Sequence, residues 1–231
     1  DDGRIRVKDQ VYGTVLVLYQ PLVERATLGI LAAMADHGGR VVWTGPAPAL
    51  FKDDAAALQD WAELFGLRDV QDPALSLSAE GEMVRFQGAL GEVAPYRVLT
   101  HLLVDRVYPA EPGRGTEVTA TVAADGAERT IGTLRRTDGG GLLAYLGARP
   151  RDDQSGTTPD APRALYELLV ALGAYEGAGW ADVASNSSPY MVCTSPNGAV
   201  SVAPHYRQIN EDWSGGFFRE EGETYDESLL P

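Results

Sequence analysis

The chain has 231 residues, 44% of them hydrophobic and 23% charged, the composition of an ordinary globular protein long enough to bury a sizeable core. Its formal charge of −14 creates a surface field that repels phosphate backbones and anionic lipid heads, which argues against nucleic acid and membrane partners and leaves neutral ligands such as sugars open. A single cysteine, Cys193, leaves no intrachain disulfide and no thiolate metal cluster, and no apolar run approaches the roughly 20 residues of a membrane span.

Asp1-Asp2-Gly3 opens directly onto a strand-like run, without an initiating Met or a signal peptide. The chain is therefore expected to be an excised piece of a longer protein, with processing of a precursor as the alternative. Its compartment stays open, the cytoplasm being slightly favoured. Arg4-Ile5-Arg6-Val7 alternates like a short half-exposed strand, and Val15-Leu16-Val17-Leu18 is a continuous apolar run of the kind buried on both faces. After Pro21, residues 24–37 read as a helix with Leu28, Leu31, Ala32 and Ala35 on one face, stopped by Gly38-Gly39. Arg40-Val41-Val42-Trp43-Thr44 is the next strand, so a parallel pair joined by a right-handed crossover is expected.

Asp53 or Asp54 caps a further helix carrying Leu58, Trp61 and Phe65, which Gly66 ends. From residue 67 to 136 the texture turns to short alternating stretches, at residues 83–87, 117–122 and 129–135, with a hairpin turn at Ala124-Asp125-Gly126-Ala127. Asp138-Gly139-Gly140-Gly141 is another turn and leads into the apolar strand Leu142–Leu146. A polar loop over residues 148–158 precedes a helix with Leu165, Leu168, Leu169 and Leu172 on one face and Gly173 as its stop. The three apolar runs at residues 15–18, 41–44 and 142–146 should be neighbours in one sheet, covered by the helices at 24–37 and 159–172. The end of the chain is β-rich again, at residues 190–194 and 199–203, and then becomes an acidic, aromatic tail.

Two groups of segments carry a resemblance. Asp2-Gly3-Arg4-Ile5-Arg6-Val7, Tyr12-Gly13-Thr14-Val15-Leu16-Val17-Leu18, the helix, and Gly38-Gly39-Arg40-Val41-Val42-Trp43-Thr44-Gly45 resemble the class I glutamine amidotransferase-like domain that follows the catalytic barrel in many bacterial glycosidases. Glu117-Val118-Thr119-Ala120-Thr121, Thr130-Ile131-Gly132-Thr133 and Gly139-Gly140-Gly141-Leu142-Leu143-Ala144-Tyr145-Leu146-Gly147 are similar to the second half of the trimerisation domain of family 42 β-galactosidases. The resemblance implies an α/β fold with a flavodoxin-like, mostly parallel sheet and flanking helices, acting in oligomer assembly or in roofing a neighbouring barrel's sugar site. The long β-rich insertion and the C-terminal β segment depart from that pattern. The expected organisation is an α/β domain over residues 1–180, with the insertion at about 67–136, and a C-terminal β segment and acidic tail over 181–231 packed on it.

The chemistry-bearing residues do not assemble into a reaction centre. An amidotransferase needs a nucleophilic Cys at a glycine-flanked strand-to-helix elbow, whereas Cys193 sits in Met191-Val192-Cys193-Thr194-Ser195-Pro196 and reads as a buried structural thiol. No Gly-x-Ser-x-Gly elbow is present, and His37, His101 and His205 lie far apart in sequence with no metal-ligand spacing, so no metal and no cofactor is assigned. Gly38-Gly39 and Gly139-Gly140-Gly141 do not stand between a strand and a following helix as phosphate loops do. Among 33 acidic residues no glycosidase pair can be picked. Tyr190, His205, Tyr206, Trp213, Phe217 and Phe218 could stack on a sugar, but packing of the terminal segment is the simpler account.

One polar cluster stands out, Arg149-Pro150-Arg151-Asp152-Asp153-Gln154-Ser155, directly after an apolar strand and so at the edge where open α/β sheets bind ligands. Arg149, Arg151, Asp152 and Asp153 are the candidate ligand or interface residues, and an internal ion-pair network that pins the loop is the competing account. The expected function is that of a non-catalytic accessory or oligomerisation domain of a glycoside hydrolase-like protein. Its partners would be the other domains of a parent enzyme, a second copy of the chain, or a carbohydrate. A stand-alone hydrolase on a small amide or glycoside, and a carbohydrate-binding module, are the alternatives.

Overall fold

The computed structural model describes residues 3–18, 20–51, 57–70, 76–79, 81–93, 95–97, 106–148, 168–173, 190–194 and 200–204. The chain divides into two compact units, Asp1–Gly177 and Ala178–Pro231. In the first unit β1 (Ile5–Val7) and β2 (Gln10–Tyr12) form a small hairpin ahead of β3 (Thr14–Leu18), β4 (Leu22–Val23), α1 (Arg25–Asp36), β5 (Arg40–Thr44) and β6 (Leu50–Phe51). Then come α2 (Ala57–Phe65), β7 (Leu67–Val70), β8 (Leu77–Ser78), β9 (Met83–Phe86), β10 (Tyr96–Arg97), β11 (Arg106–Val107) and β12 (Ala110–Pro112). The long strands β13 (Thr116–Ala124) and β14 (Ala127–Arg136) lead into β15 (Leu142–Leu146). The second unit contains the antiparallel pair β16 (Tyr190–Thr194) and β17 (Val200–Pro204).

A seven-stranded sheet organises the first unit, in the order β10-β9-β13-β14-β15-β5-β3. The three apolar runs are neighbours in it as expected: β3 and β5 are parallel, with Val15 opposite Val41, and β15 and β5 are parallel, with Leu143 opposite Val41. The fold is α/β, but the sheet is mixed rather than mostly parallel, since β10, β9, β13, β14 and β15 pair antiparallel in succession. The reason lies in the connections. A two-residue turn such as Asp125-Gly126, both at positive φ, can only return a strand antiparallel, and a parallel pair needs a crossover such as α1. Part of the stretch at 67–136 therefore continues the main sheet, through β9, β10, β13 and β14. Register shifts around Ala120 in β13 bend the sheet into a curl.

Both faces of β5 and β15 are covered. Val41, Trp43, Leu143 and Tyr145 point to one side and pack with Leu28, Leu31, Met34 and Ala35 of α1 and Trp61 and Phe65 of α2. Val42, Leu142, Ala144 and Leu146 point to the other, against Leu134, Ile131, Val84 and Val107 and against Leu168 and Leu172. Of the helix expected at 159–172, residues 168–171 are described as helical and Gly173 follows at φ 74°. The period of two carries apolar side chains to both faces, which is why β5 and β15 read as unbroken hydrophobic runs.

The α1/α2 side is built round aromatics. The rings of Trp43 and Trp61 lie 5.5 Å apart at 67°, Trp61 and Tyr145 5.3 Å apart at 84°, and Trp61 and Phe65 5.0 Å apart. These edge-on and tilted arrangements add roughly 0.5–1.5 kcal/mol per pair beyond burial. Trp43 donates its indole N–H to the Pro46 carbonyl at 2.8 Å, and Tyr145 donates its hydroxyl to the Tyr108 carbonyl at 2.9 Å. Arg135 closes the end of α2, its guanidinium donating to the Glu63 and Leu64 carbonyls at 2.7 and 2.8 Å. Carbonyls at a helix C-terminus have no intrahelical donor, so this arginine satisfies two of them.

The two glycine clusters meet at the amino ends of β5 and β15. A Cβ on Gly141 would stand 1.9 Å from the Ala35 carbonyl oxygen and 2.6 Å from that of Gly39. Only glycine lets the end of α1 and both strands come this close, and Leu142 N–H then donates to Gly39 O at 3.0 Å. The clusters are thus more than turns: they are the contact through which the helix end rests on the sheet.

Candidate functional site

The opposite, carboxyl ends of β3, β5 and β15 face one way, and Arg149, Arg151, Asp152 and Asp153 follow Ala148 in sequence after the carboxyl end of β15. Those four residues lie outside the described residues, as do His101, His205, Tyr206, Trp213, Phe217 and Phe218. Tyr190 begins β16. Cys193 is a β16 residue in register with Ser201 of β17, so its backbone belongs to a hairpin and not to a strand-to-helix elbow. His37 follows α1 and its Nδ1 lies 2.7 Å from the Ala33 carbonyl, a contact that ties the ring to the helix end. Among the described residues no group of three or more His, Cys, Asp or Glu could hold a metal ion.

What the structure does form is an apolar cleft of about 540 Å³ beside β3. Val15 and Val17 of β3, Leu22 of β4 and Ile30 and Leu31 of α1 line it, Ile5 of the β1 strand closes one side, and Trp43 reaches it from β5. Polar groups are few there: Gln20, Glu24 and Thr27. Gln20 is turned inward on its own loop, its amide donating to the Leu22 carbonyl.

The cleft exists because, among the described residues, β3 has one neighbour in the sheet. Its inner side is zipped to β5, with Thr44 Oγ1 also donating to Val17 O at 3.2 Å, and it ends the sheet on the other side. Its side chains are only half-buried as a result, and large apolar groups stay in solvent around it: Leu18 is 56% exposed, Leu22 47%, Ile30 55% and Leu50 64%. Leu22 and Leu50 stand opposite each other in the short β4–β6 pair. Single exposed apolar residues are normal on a protein surface, whereas larger contiguous apolar patches are the ones associated with contacts between molecules.

Sequence reasoning did not find this cleft. The available signal was Ile30, which falls off the Leu28/Leu31/Ala35 face of α1 and so has no place in the core that the helix periodicity defines. Chemically, the arrangement can bury apolar side chains and pair a backbone. Tyr145 is pushed far above the ordinary tyrosine range by desolvation, with the neighbouring Tyr108 adding to the effect. It sits in the core as a neutral hydrogen-bond donor, not in the cleft.

No family model matches the chain, and no curated protein matches its sequence. Solved structures do. A catalytic mutant of Gan42B, a GH42 β-galactosidase from G. stearothermophilus, aligns with a TM-score of 0.53 at 19% identity over 79% of this chain and 24% of that one. A β-galactosidase from a Rahnella species gives 0.51 at 18% identity over 79% and 25%. The β-galactosidase of Bacillus circulans sp. alkalophilus gives 0.50 at 16% identity over 78% and 25%. At such identities the likeness is one of fold, and the chain spans about a quarter of the length of these structures.

Proposed function

We propose that this chain is a non-catalytic assembly domain related to the glycoside hydrolases, working beside the other domains of a larger carbohydrate-active protein. The observation that carries the reading is the cleft at β3: a groove lined by Val15, Val17, Leu22 and Ile30, with Glu24 its one carboxylate, suits docking of a protein surface and lacks the facing acid pair that glycoside cleavage needs. The fold likeness to about a quarter of each GH42 β-galactosidase supports the same reading, since a domain of that share leaves the rest of such a chain for other work. In its finer form the reading takes β3, α1, β5 and β15 as the parallel part of a flavodoxin-like, amidotransferase-like core. It assigns residues 1–180 to that domain with its β-rich insertion and 181–231 to a separate C-terminal β segment, and gives the domain the role of an oligomerisation unit, as in a trimerisation domain. Arg149, Arg151, Asp152 and Asp153 then belong to the edge that faces a partner or a sugar.

The test is an assay of the purified chain on an aryl β-galactoside and on glutamine, at enzyme concentrations high enough to see slow turnover. No product above buffer is expected from either. Hydrolysis of glutamine abolished by Cys193→Ala, or glycoside turnover that follows the protein through purification, would overturn the non-catalytic reading.

A further inference from the structure

We infer that the outer edge of β3 is the docking site of a second copy of this chain, the two β3 strands pairing antiparallel about a two-fold axis so that two seven-stranded sheets become one. The inference rests on the assembly reading above and names the partner for that cleft, and it departs from a three-fold arrangement, because a two-fold pairing of edge strands closes at two copies.

Three observations lead to it. First, among the described residues no strand pairs with the outer edge of β3. Natural sheet edges carry lysines, prolines, bulges or a covering loop that discourage pairing. Thr14-Val15-Leu16-Val17-Leu18 has no charge and no proline, and it pairs with β5 in unbroken register. Second, both faces of the strand are only partly covered. Val15 and Val17 lie on the α1 side and Leu16 on the other, all half-buried, with the 540 Å³ cleft open between β3 and α1. Third, the electrostatics permit a like partner here. The chain carries −14, but residues 1–40, which build the hairpin, the edge strand and α1, hold five acidic and five basic residues. Two copies meeting through this segment therefore bring together no net charge, since the net charge of −14 lies in the rest of the sequence.

The pairing is self-complementary. With the axis at Leu16, Val15 comes opposite Val17 of the partner subunit, so the valines that line each cleft close over the seam. The two α1 helices flank that seam on one face of the joined sheet and bring their exposed Ile30 side chains towards it, burying apolar surface that neither copy covers alone.

Sedimentation equilibrium and hydrogen exchange on the 231-residue chain test this together. The expected result is a mass twice that of the chain, dissociating on dilution, with the amides of Val15 to Val17 protected in the dimer and exchanging faster as it dissociates. Ile30→Glu, a substitution at a solvent-exposed helix position, should weaken the dimer at least about tenfold while the monomer keeps its circular dichroism. Added salt should leave the dimer constant within about a factor of three, because little net charge crosses the seam. A chain that stays monomeric sinks the inference. So does a dimer indifferent to Ile30→Glu, or one that salt strongly tightens, which would place the contact on an acidic face. Protection of β3 that does not vary with concentration would mean that another segment of the same polypeptide covers the edge, and would likewise overturn it. Failure here with no enzymatic turnover leaves the assembly reading standing, and turnover by a correctly dimerising chain would defeat that reading alone.

Discussion

Strands β3 and β5 run side by side in the same direction, TVLVL against RVVWT, and are almost equally apolar, yet one is half-exposed throughout and the other is buried from Val41 to Thr44. The difference is one neighbour. β5 has a strand on each side and helices over Val41 and Trp43, while β3, among the described residues, has β5 alone. Apolar continuity thus reports what a strand is able to bury, and the sheet order decides how much of that capacity is used. The unused part of β3's capacity is the cleft.

Paired truncations break this comparison most directly. Trp43→Ala should cost about 3–5 kcal/mol, because it removes a fully buried ring from the aromatic cluster. Val17→Ala, one residue across the ladder from it, should cost no more than about 1 kcal/mol in the monomer, since water already reaches that site. Urea unfolding of both variants at a concentration where the chain is monomeric settles the ratio, and equal losses would mean that β3 is as buried as β5. Next in size is Gly141→Ala. A Cβ there meets backbone oxygens of Ala35 and Gly39, which no rotamer change can relieve, so a loss of about 2–4 kcal/mol is expected. Thermal melting beside Gly126→Ala, where open space surrounds the site and only the positive φ is strained, separates crowding from conformational cost.

Tyr145 gives a smaller effect with a defined pH window. Removing its hydroxyl in Tyr145→Phe should cost about 1 kcal/mol at neutral pH through the lost bond to Tyr108 O. Its folded pKa is raised above the ordinary value of 10.0. Below that value both folded and unfolded chains keep the proton, and its contribution is complete. Above it the unfolded chain releases the proton while the folded one cannot, so stability falls as pH rises beyond about 10. Denaturation midpoints measured across that range should fall more steeply for the parent than for Tyr145→Phe, and parallel curves would show that the phenol ionises freely in the fold. Smallest of all is the pair Arg151→Ala with Asp152→Ala, expected to change stability by about 0–1 kcal/mol while weakening assembly in the full-length protein. A marked drop in melting temperature with assembly intact would make that loop structural.

Much of the parallel core was legible in the sequence because its signals are local. Glycine stops, an apolar stripe in α1 and unbroken hydrophobic runs define β3, β5 and β15 and their adjacency. The antiparallel half was legible as short strands and as the Asp125-Gly126 turn, but not as part of the same sheet. Strand order depends on contacts between residues as distant as Thr121 and Arg85, or Ala144 and Val42, which no short window of sequence contains. The cleft was hidden for a related reason: a strand's missing neighbour leaves no mark on the strand itself. Ile30, out of place on its helix, was the trace it did leave.

The register that sets Leu142 opposite Arg40 has a consequence for how the chain reaches this state. β13, β14 and β15 are joined by tight turns and can zip early, but β15 must then find a strand about 100 positions upstream, after the loop-closure entropy of everything between has been spent. The parallel seam is therefore the late event in folding. Until it closes, the backbone edges of β5 and of β15 are both open to solvent, and the interval between zipping and closure is when this protein is most exposed to aggregation.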